Sequence, residues 1–206
     1  MIDLKAIEKK ISSRIPKPMD VNGKYSVLIA LIENKGKWEV IFELRSKKLK
    51  SQPGEVSFPG GRVEDGETFK EAAIRETMEE LNINRENIRI VGELDYLVSY
   101  ANFTIHCFLA TISGISVDKI IPNEDEVDIL FTVPLDYFLE NEPDKYELDL
   151  QTVGNDEFPY ELIPKGKDYN FRRGKHSVLF YRYKEHIIWG YTAKMIRHLV
   201  DIIKDL

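Results

Sequence analysis

"GETFKEAAIRETMEELNI", from Gly66 to Ile83, holds three glutamates, Glu76, Glu79 and Glu80, within little more than one helical turn. The stretch reads as a helix. Thr68 and Glu71 have capping-box spacing at its start. Asn82, which tolerates the left-handed conformation, stands where it would stop. At 3.6 residues per turn the three carboxylates share an arc of about 100°. Ala73, Ile74, Thr77, Met78 and Leu81 occupy the rest, ready to pack on a sheet. Like charges at i,i+3 and i,i+4 repel. Taken alone, such a cluster marks a solvated acidic face. The other resolution is a divalent cation: hard Mg²⁺ or Mn²⁺ takes carboxylate oxygens and keeps several waters.

The flanks favour the cation. Phe58-Pro59-Gly60-Gly61 places two residues without side chains just before the loop that leads into the helix. Glycine allows close backbone approach, so a carbonyl there could add an oxygen ligand. Arg75 precedes Glu76 and can pair with Glu71 at i,i+4 or orient the neighbouring glutamates.

Further out, hydrophobic periodicity predicts a mixed α and β chain. Residues 3–12 suggest a short amphipathic helix, broken by "RIPKPMD". The apolar run Tyr25–Ile32 predicts a buried strand, and alternating Trp38–Leu44 pairs with it as a hairpin. Lys48–Glu67 reads as a Gly/Pro-rich loop with a short strand at Val56–Phe58. "IRIVGELD", "FTIHCFLATIS", "EVDILFTVPL" and "SVLFYRY" predict further strands, with Phe103, Ile105, Cys107 and Leu109 on one face. Residues 140–175 read as irregular. Residues 188–204, with Ile188, Thr192, Met195, Ile196, Leu199 and Ile203 at helical spacing, predict a closing helix. Layers of helix on sheet are expected, in one domain over 1–206 with a helical extension at 1–20.

Bulk properties exclude some functions. The 206 residues carry a net charge of −6, which disfavours a general nucleic-acid binder. An anionic substrate would then need a local basic cluster or a metal. One cysteine, Cys107, excludes an internal disulfide framework and suggests a reducing compartment. The N-terminus does not read as a signal peptide, and Lys204-Asp205-Leu206 matches no peroxisomal or retention address. A cytoplasmic location with no membrane partner is expected. His106, His176, His186 and His198 show no ligand spacing with the carboxylates.

Gly61, Glu67, Arg75-Glu76, Glu79-Glu80 and Ile83 resemble the Nudix box, G-x5-E-x7-R-E-U-x-E-E-x-G-U, in register over all its positions. Thr77 replaces an aliphatic residue and Asn82 replaces glycine. The resemblance implies a Nudix fold, an α/β/α sandwich around a mixed β-sheet, and a Mg²⁺- or Mn²⁺-dependent pyrophosphohydrolase. It assigns Glu76 and Glu80 as main metal ligands, Glu79 as a further ligand or base, the Gly61 carbonyl as a contributor, and Arg75 as part of the catalytic set.

"LRSKKLKSQPGEVSFPGG", Leu44–Gly61, is similar to the additional signature of coenzyme A pyrophosphatases through Arg45-Ser46, Gly54 and Phe58–Gly61. Lys50 replaces its second arginine. Arg45, Lys47, Lys48 and Lys50 make a basic cluster suited to a phosphate-rich ligand. Arg45, Ser46 and Lys50 are therefore expected at the substrate. "NEDEVDILFTVPLDYFL" resembles a further family segment in which Glu126 orients the water or a metal ligand. "FYRYKEHIIWGYTAKMI" resembles its closing segment, with Trp189 and Tyr191 expected in the core. The implied substrate is coenzyme A or a thioester, acted on by a monomer or homodimer. The rivals are the same chemistry on ADP-ribose, NADH or another nucleoside diphosphate derivative, and a ligand sensor without turnover.

Overall fold

The computed structural model describes residues 3–205. Residues 1, 2 and 206, which open the expected extension and close the C-terminal tripeptide, lie outside the described residues. Helix α1 (Leu4–Ser12) forms as its periodicity predicts, with the Asp3 side chain accepting from the Lys5 backbone N–H. None of its residues is buried.

The apolar run becomes β1 (Gly23–Asn34), and β2 (Lys37–Arg45) folds back on it through a turn at Lys35 and Gly36. Strands β3 (Val56–Ser57) and β4 (Gly60–Arg62) follow, then helix α2 (Phe69–Leu81). Next come β5 (Ile88–Glu93), β6 (Leu97–Val98), β7 (Phe103–Ile112), β8 (Val127–Pro134) and the short helix α3 (Leu135–Glu140). The sheet runs β3-β2-β1-β7-β5, with β4 beside β1, β6 beside β7 and β8 beside β2. Only the β1–β7 pair is parallel. Strand β9 (Asp144–Leu150), β10 (Gly174–Tyr183) and β11 (His186–Trp189) make a second, antiparallel sheet that leads into α4 (Gly190–Ile203).

The result is the expected α/β/α sandwich. Leu28, Ala30, Ile41, Phe108 and Ala110 pack on Ala73, Ile74 and Leu81 of α2. Ile29, Leu31, Val40, Phe42 and Cys107 pack on Ala193, Ile196 and Leu199 of α4. Both faces are covered, so successive residues of the middle strands are buried alternately up and down.

Four expectations are corrected. Trp38–Leu44 was expected to alternate, yet Val40–Glu43 are all buried, because β2 lies between β1 and β8 with a helix layer on each side. Ile188 and Trp189 belong to a strand, pairing with Tyr181 and Phe180, and Gly190 at φ +64° turns the chain into α4. Trp189 is not core: it is 40% exposed and stacks on Phe180. Residues 140–175 contain β9, whose exposed, alternately charged sequence has the pattern of an edge strand.

Candidate active site

Helix α2 begins and ends where its sequence says. The Thr68 hydroxyl accepts from the Glu71 N–H (3.2 Å) while the Glu71 carboxylate accepts from the Thr68 N–H (2.9 Å). Asn82 closes the helix at φ 49°, and its side-chain amide donates to the Ile121 carbonyl. Thr77 is buried, and its hydroxyl donates to the Ala73 carbonyl at 2.7 Å, so a polar residue fits an apolar face.

The three glutamates divide by depth. Side-chain exposure is 53% at Glu79 and 18% at Glu76, while Glu80 is buried. The Gly60 N–H donates to Glu80 Oε2 at 2.8 Å. Glycine is required at Gly60, and at Gly61 it leaves room for Glu76. Gly60 has φ +150°, and a Cβ on it would strike the backbone of Ser26 and Val27 in β1. A Cβ on Gly61 would overlap the Glu76 carboxyl group. Arg75 organises the outer rank: its guanidinium bonds Glu67 (2.9 Å), Glu76 (2.9 Å), Glu79 (3.3 Å) and the Arg62 carbonyl (3.1 Å). It does not pair with Glu71, whose carboxylate is spent on the cap. The bond to Arg75 holds the Glu67 carboxyl below the usual carboxylate range.

One acidic residue escaped the sequence reading. Glu43 in β2 is fully buried. By period two it shares the α2 side of its strand with Ile41, and its charge acts on Glu80. Ser57 donates to Glu43 Oε1 at 2.8 Å, and Arg45 stands 3.9 Å away. Its signal was a carboxylate directly after the apolar Val40–Phe42. Glu126 is brought in from the opposite side. The loop before β8 is tied to α2 by the Asn123 N–H donating to the Glu80 carbonyl, and to β2 by the Ser46 N–H donating to Glu126's own carbonyl.

These carboxyls burden one another. Glu80 is pushed well above its ordinary range, first by burial and then by the neighbouring charge of Glu43. Glu43 is raised chiefly by burial, against the Ser57 hydrogen bond. Glu76 is raised by burial too, in spite of Arg75.

Beside them opens a cavity of about 580 Å³, lined by Gly60, Gly61, Glu76, Glu80, Glu126 and Arg45 on one side. Tyr25, Val27, Phe103, Ile105, Tyr191 and Met195 form its apolar wall. Arg45 Nε is buried without a hydrogen-bond partner. Of the basic cluster only Arg45 lines this cavity. Lys50 is exposed outside it, and Lys48 pairs with Asp125. Ser46 is buried beneath the loop, its hydroxyl accepting from the Lys48 N–H, so it faces no ligand. Tyr191 is at the cavity wall rather than deep in the core, its hydroxyl 2.7 Å from Ser99 Oγ.

The donor set suits a hard divalent cation. Glu43 Oε2 and Glu126 Oε2 are buried with no partner, and Glu80 Oε2 has only the Gly60 amide. Uncompensated buried anions are expensive, and a cation among them would relieve all at once. Among the described residues no three His, Cys, Asp or Glu side chains are gathered closely enough to hold a metal ion as they stand.

Sandwich and carboxylate helix together are the arrangement that the box's resemblance implies for a pyrophosphohydrolase. Comparison with known proteins supplies the family: a model of the NUDIX domain matches residues 24–180, and the chain belongs to the Nudix hydrolase family. It is 30% identical over 203 residues to Nudix hydrolase 3 of Caenorhabditis elegans, covering 98% of this chain and 82% of that one. It is 39% identical over 127 residues to peroxisomal coenzyme A diphosphatase NUDT7 of Mus musculus, covering 57% and 50%. With mitochondrial coenzyme A diphosphatase NUDT8 of Mus musculus the figures are 32% over 170 residues, 82% and 72%. A MutT/nudix family protein from Enterococcus faecalis has the same fold, at TM-score 0.53 and 13% identity over 98% of this chain and 70% of its own. No helix among the described residues is long and apolar enough to cross a membrane.

Proposed function

We propose that this chain hydrolyses the diphosphate of coenzyme A or its thioesters, giving 4′-phosphopantetheine and adenosine 3′,5′-bisphosphate with Mg²⁺ or Mn²⁺. The observation that carries the reading is that Arg45, from the second motif, lines the same cavity as Glu76 and Glu80 from the first. Two relatives bear the name coenzyme A diphosphatase.

Glu76 and Glu80 would hold the cation, with Glu126 and the Gly61 carbonyl beside them. When bound, the cation neutralises the diphosphate and lowers the pKa of a coordinated water. Arg75 keeps Glu76 and Glu79 aimed, and Glu79, the most exposed of the three, would accept a proton from the attacking water. Glu126 orients that water. The Arg45 guanidinium would donate to a phosphate oxygen, while Tyr25, Phe103 and Tyr191 give an apolar wall against which adenine or the pantetheine arm can lie. Ser46 and Lys50 take no part in this arrangement. One domain acting in the cytoplasm, as monomer or homodimer, completes the proposal.

Arg45→Gln tests the substrate side. Loss of a charge-assisted hydrogen bond of about 1.5–3 kcal/mol should lower kcat/KM for coenzyme A by about 10- to 150-fold, with the fold intact by circular dichroism. An unchanged kcat/KM would remove Arg45 from the substrate site.

A further inference from the structure

Glu43 lies outside both motifs and has no part in the proposed hydrolysis. Its burial is complete, at 0% exposure, in the middle of the sheet. One oxygen is satisfied by Ser57, and the other, Oε2, has no partner. A buried carboxylate retained only for packing would be expected to have both oxygens bonded. The sole nearby cation, Arg45, is 3.9 Å away and on the oxygen already bonded.

Position explains what the free oxygen is for. Strand alternation turns Glu43 to the α2 side, with Ile41. The Ser57–Gly60 segment links the two carboxylates: Ser57 bonds Glu43, and three residues on the Gly60 amide bonds Glu80. Glu126, with its own free buried oxygen, approaches from the β8 loop. The charges of Glu43 and Glu126 oppose one another as well.

We propose that Glu43 is a positioning residue of the cation site: its buried carboxylate, with one partnerless oxygen, would favour a divalent ion held by Glu80. This rests on the cation reading of Glu76 and Glu80, but on no particular substrate. Partners of this outer kind commonly change metal affinity by about 10- to 100-fold.

The test titrates Mn²⁺ alone into wild-type, Glu43→Gln and Glu43→Asp protein, following free Mn²⁺ by electron paramagnetic resonance, with metal-free thermal midpoints beside it. The expected result is an Mn²⁺ Kd raised about 10- to 100-fold in Glu43→Gln. Glu43→Asp should fall between, and the metal-free midpoint of Glu43→Gln should be no lower than wild type. Should the glutamine variant fail to fold, Glu43→Asp carries the test, with the same direction required. A merely structural Glu43 would give the opposite pattern, a lowered midpoint and an Mn²⁺ Kd within threefold of wild type, and that would overturn the proposal. If wild-type protein itself binds no Mn²⁺, the cation reading falls and takes this inference with it.

Discussion

At Gly61 a single methyl group would decide whether Glu76 can hold its place. The Cβ of an alanine would overlap the Glu76 carboxyl group, so the carboxylate must swing away. Displacements of about 1 Å can cost 10²-fold in rate, and Gly61→Ala should lower kcat by about that factor. The substituted residue is not in the core, so the thermal midpoint should shift far less than activity. Steady-state kinetics beside a melting curve reads both; a variant with wild-type kcat would mean that Glu76 has no fixed role. Such residues were legible in the sequence because glycine and glutamate stood at motif spacing. Glu43 was not, since burial of a lone charge depends on which strands flank it, and that is a long-range property.

The same division holds for whole elements. Helix α2 announced itself locally: Thr68 and Glu71 cap it and Asn82 ends it in the left-handed region. Thr68→Ala should destabilise the protein by about 1 kcal/mol, read as a shift in urea midpoint at constant slope; no shift would mean the cap is redundant. Strand β11 did not announce itself, because Ile188 is in phase with the α4 stripe, and only pairing with Tyr181 reveals the strand. Ile188 is completely buried, so Ile188→Ala should cost about 2–5 kcal/mol. An exposed helix-start position would cost little, and a measured loss below about 1 kcal/mol would favour the helical assignment. Strand β9 escaped notice because its outward alternation of charges, in "DKYELDL", resembles a polar loop.

Across the molecule, stability and chemistry pull against each other at the carboxylate cluster. Burial raises the Glu43 and Glu80 carboxyls, so the folded chain keeps protons that the unfolded chain releases once pH passes the ordinary carboxylate range. Their contribution to metal-free stability is therefore full at low pH and declines as pH rises through neutrality. Each kcal/mol lost lowers the midpoint by about 2–4 °C in a chain of this size. A bound divalent ion binds the ionised forms and should remove the decline. Melting curves from about pH 5 to 8, in chelator and in excess Mg²⁺, should diverge toward high pH; parallel curves would argue that the cluster holds no ion. Product analysis by mass spectrometry tests the choice of substrate. Equimolar coenzyme A, ADP-ribose and NADH would be offered together with Mg²⁺ to wild-type and Glu80→Gln protein. The account predicts rapid 4′-phosphopantetheine from wild type and none from Glu80→Gln. Consumption of ADP-ribose or NADH with coenzyme A spared would contradict it, and binding of coenzyme A without any product would point to a sensor.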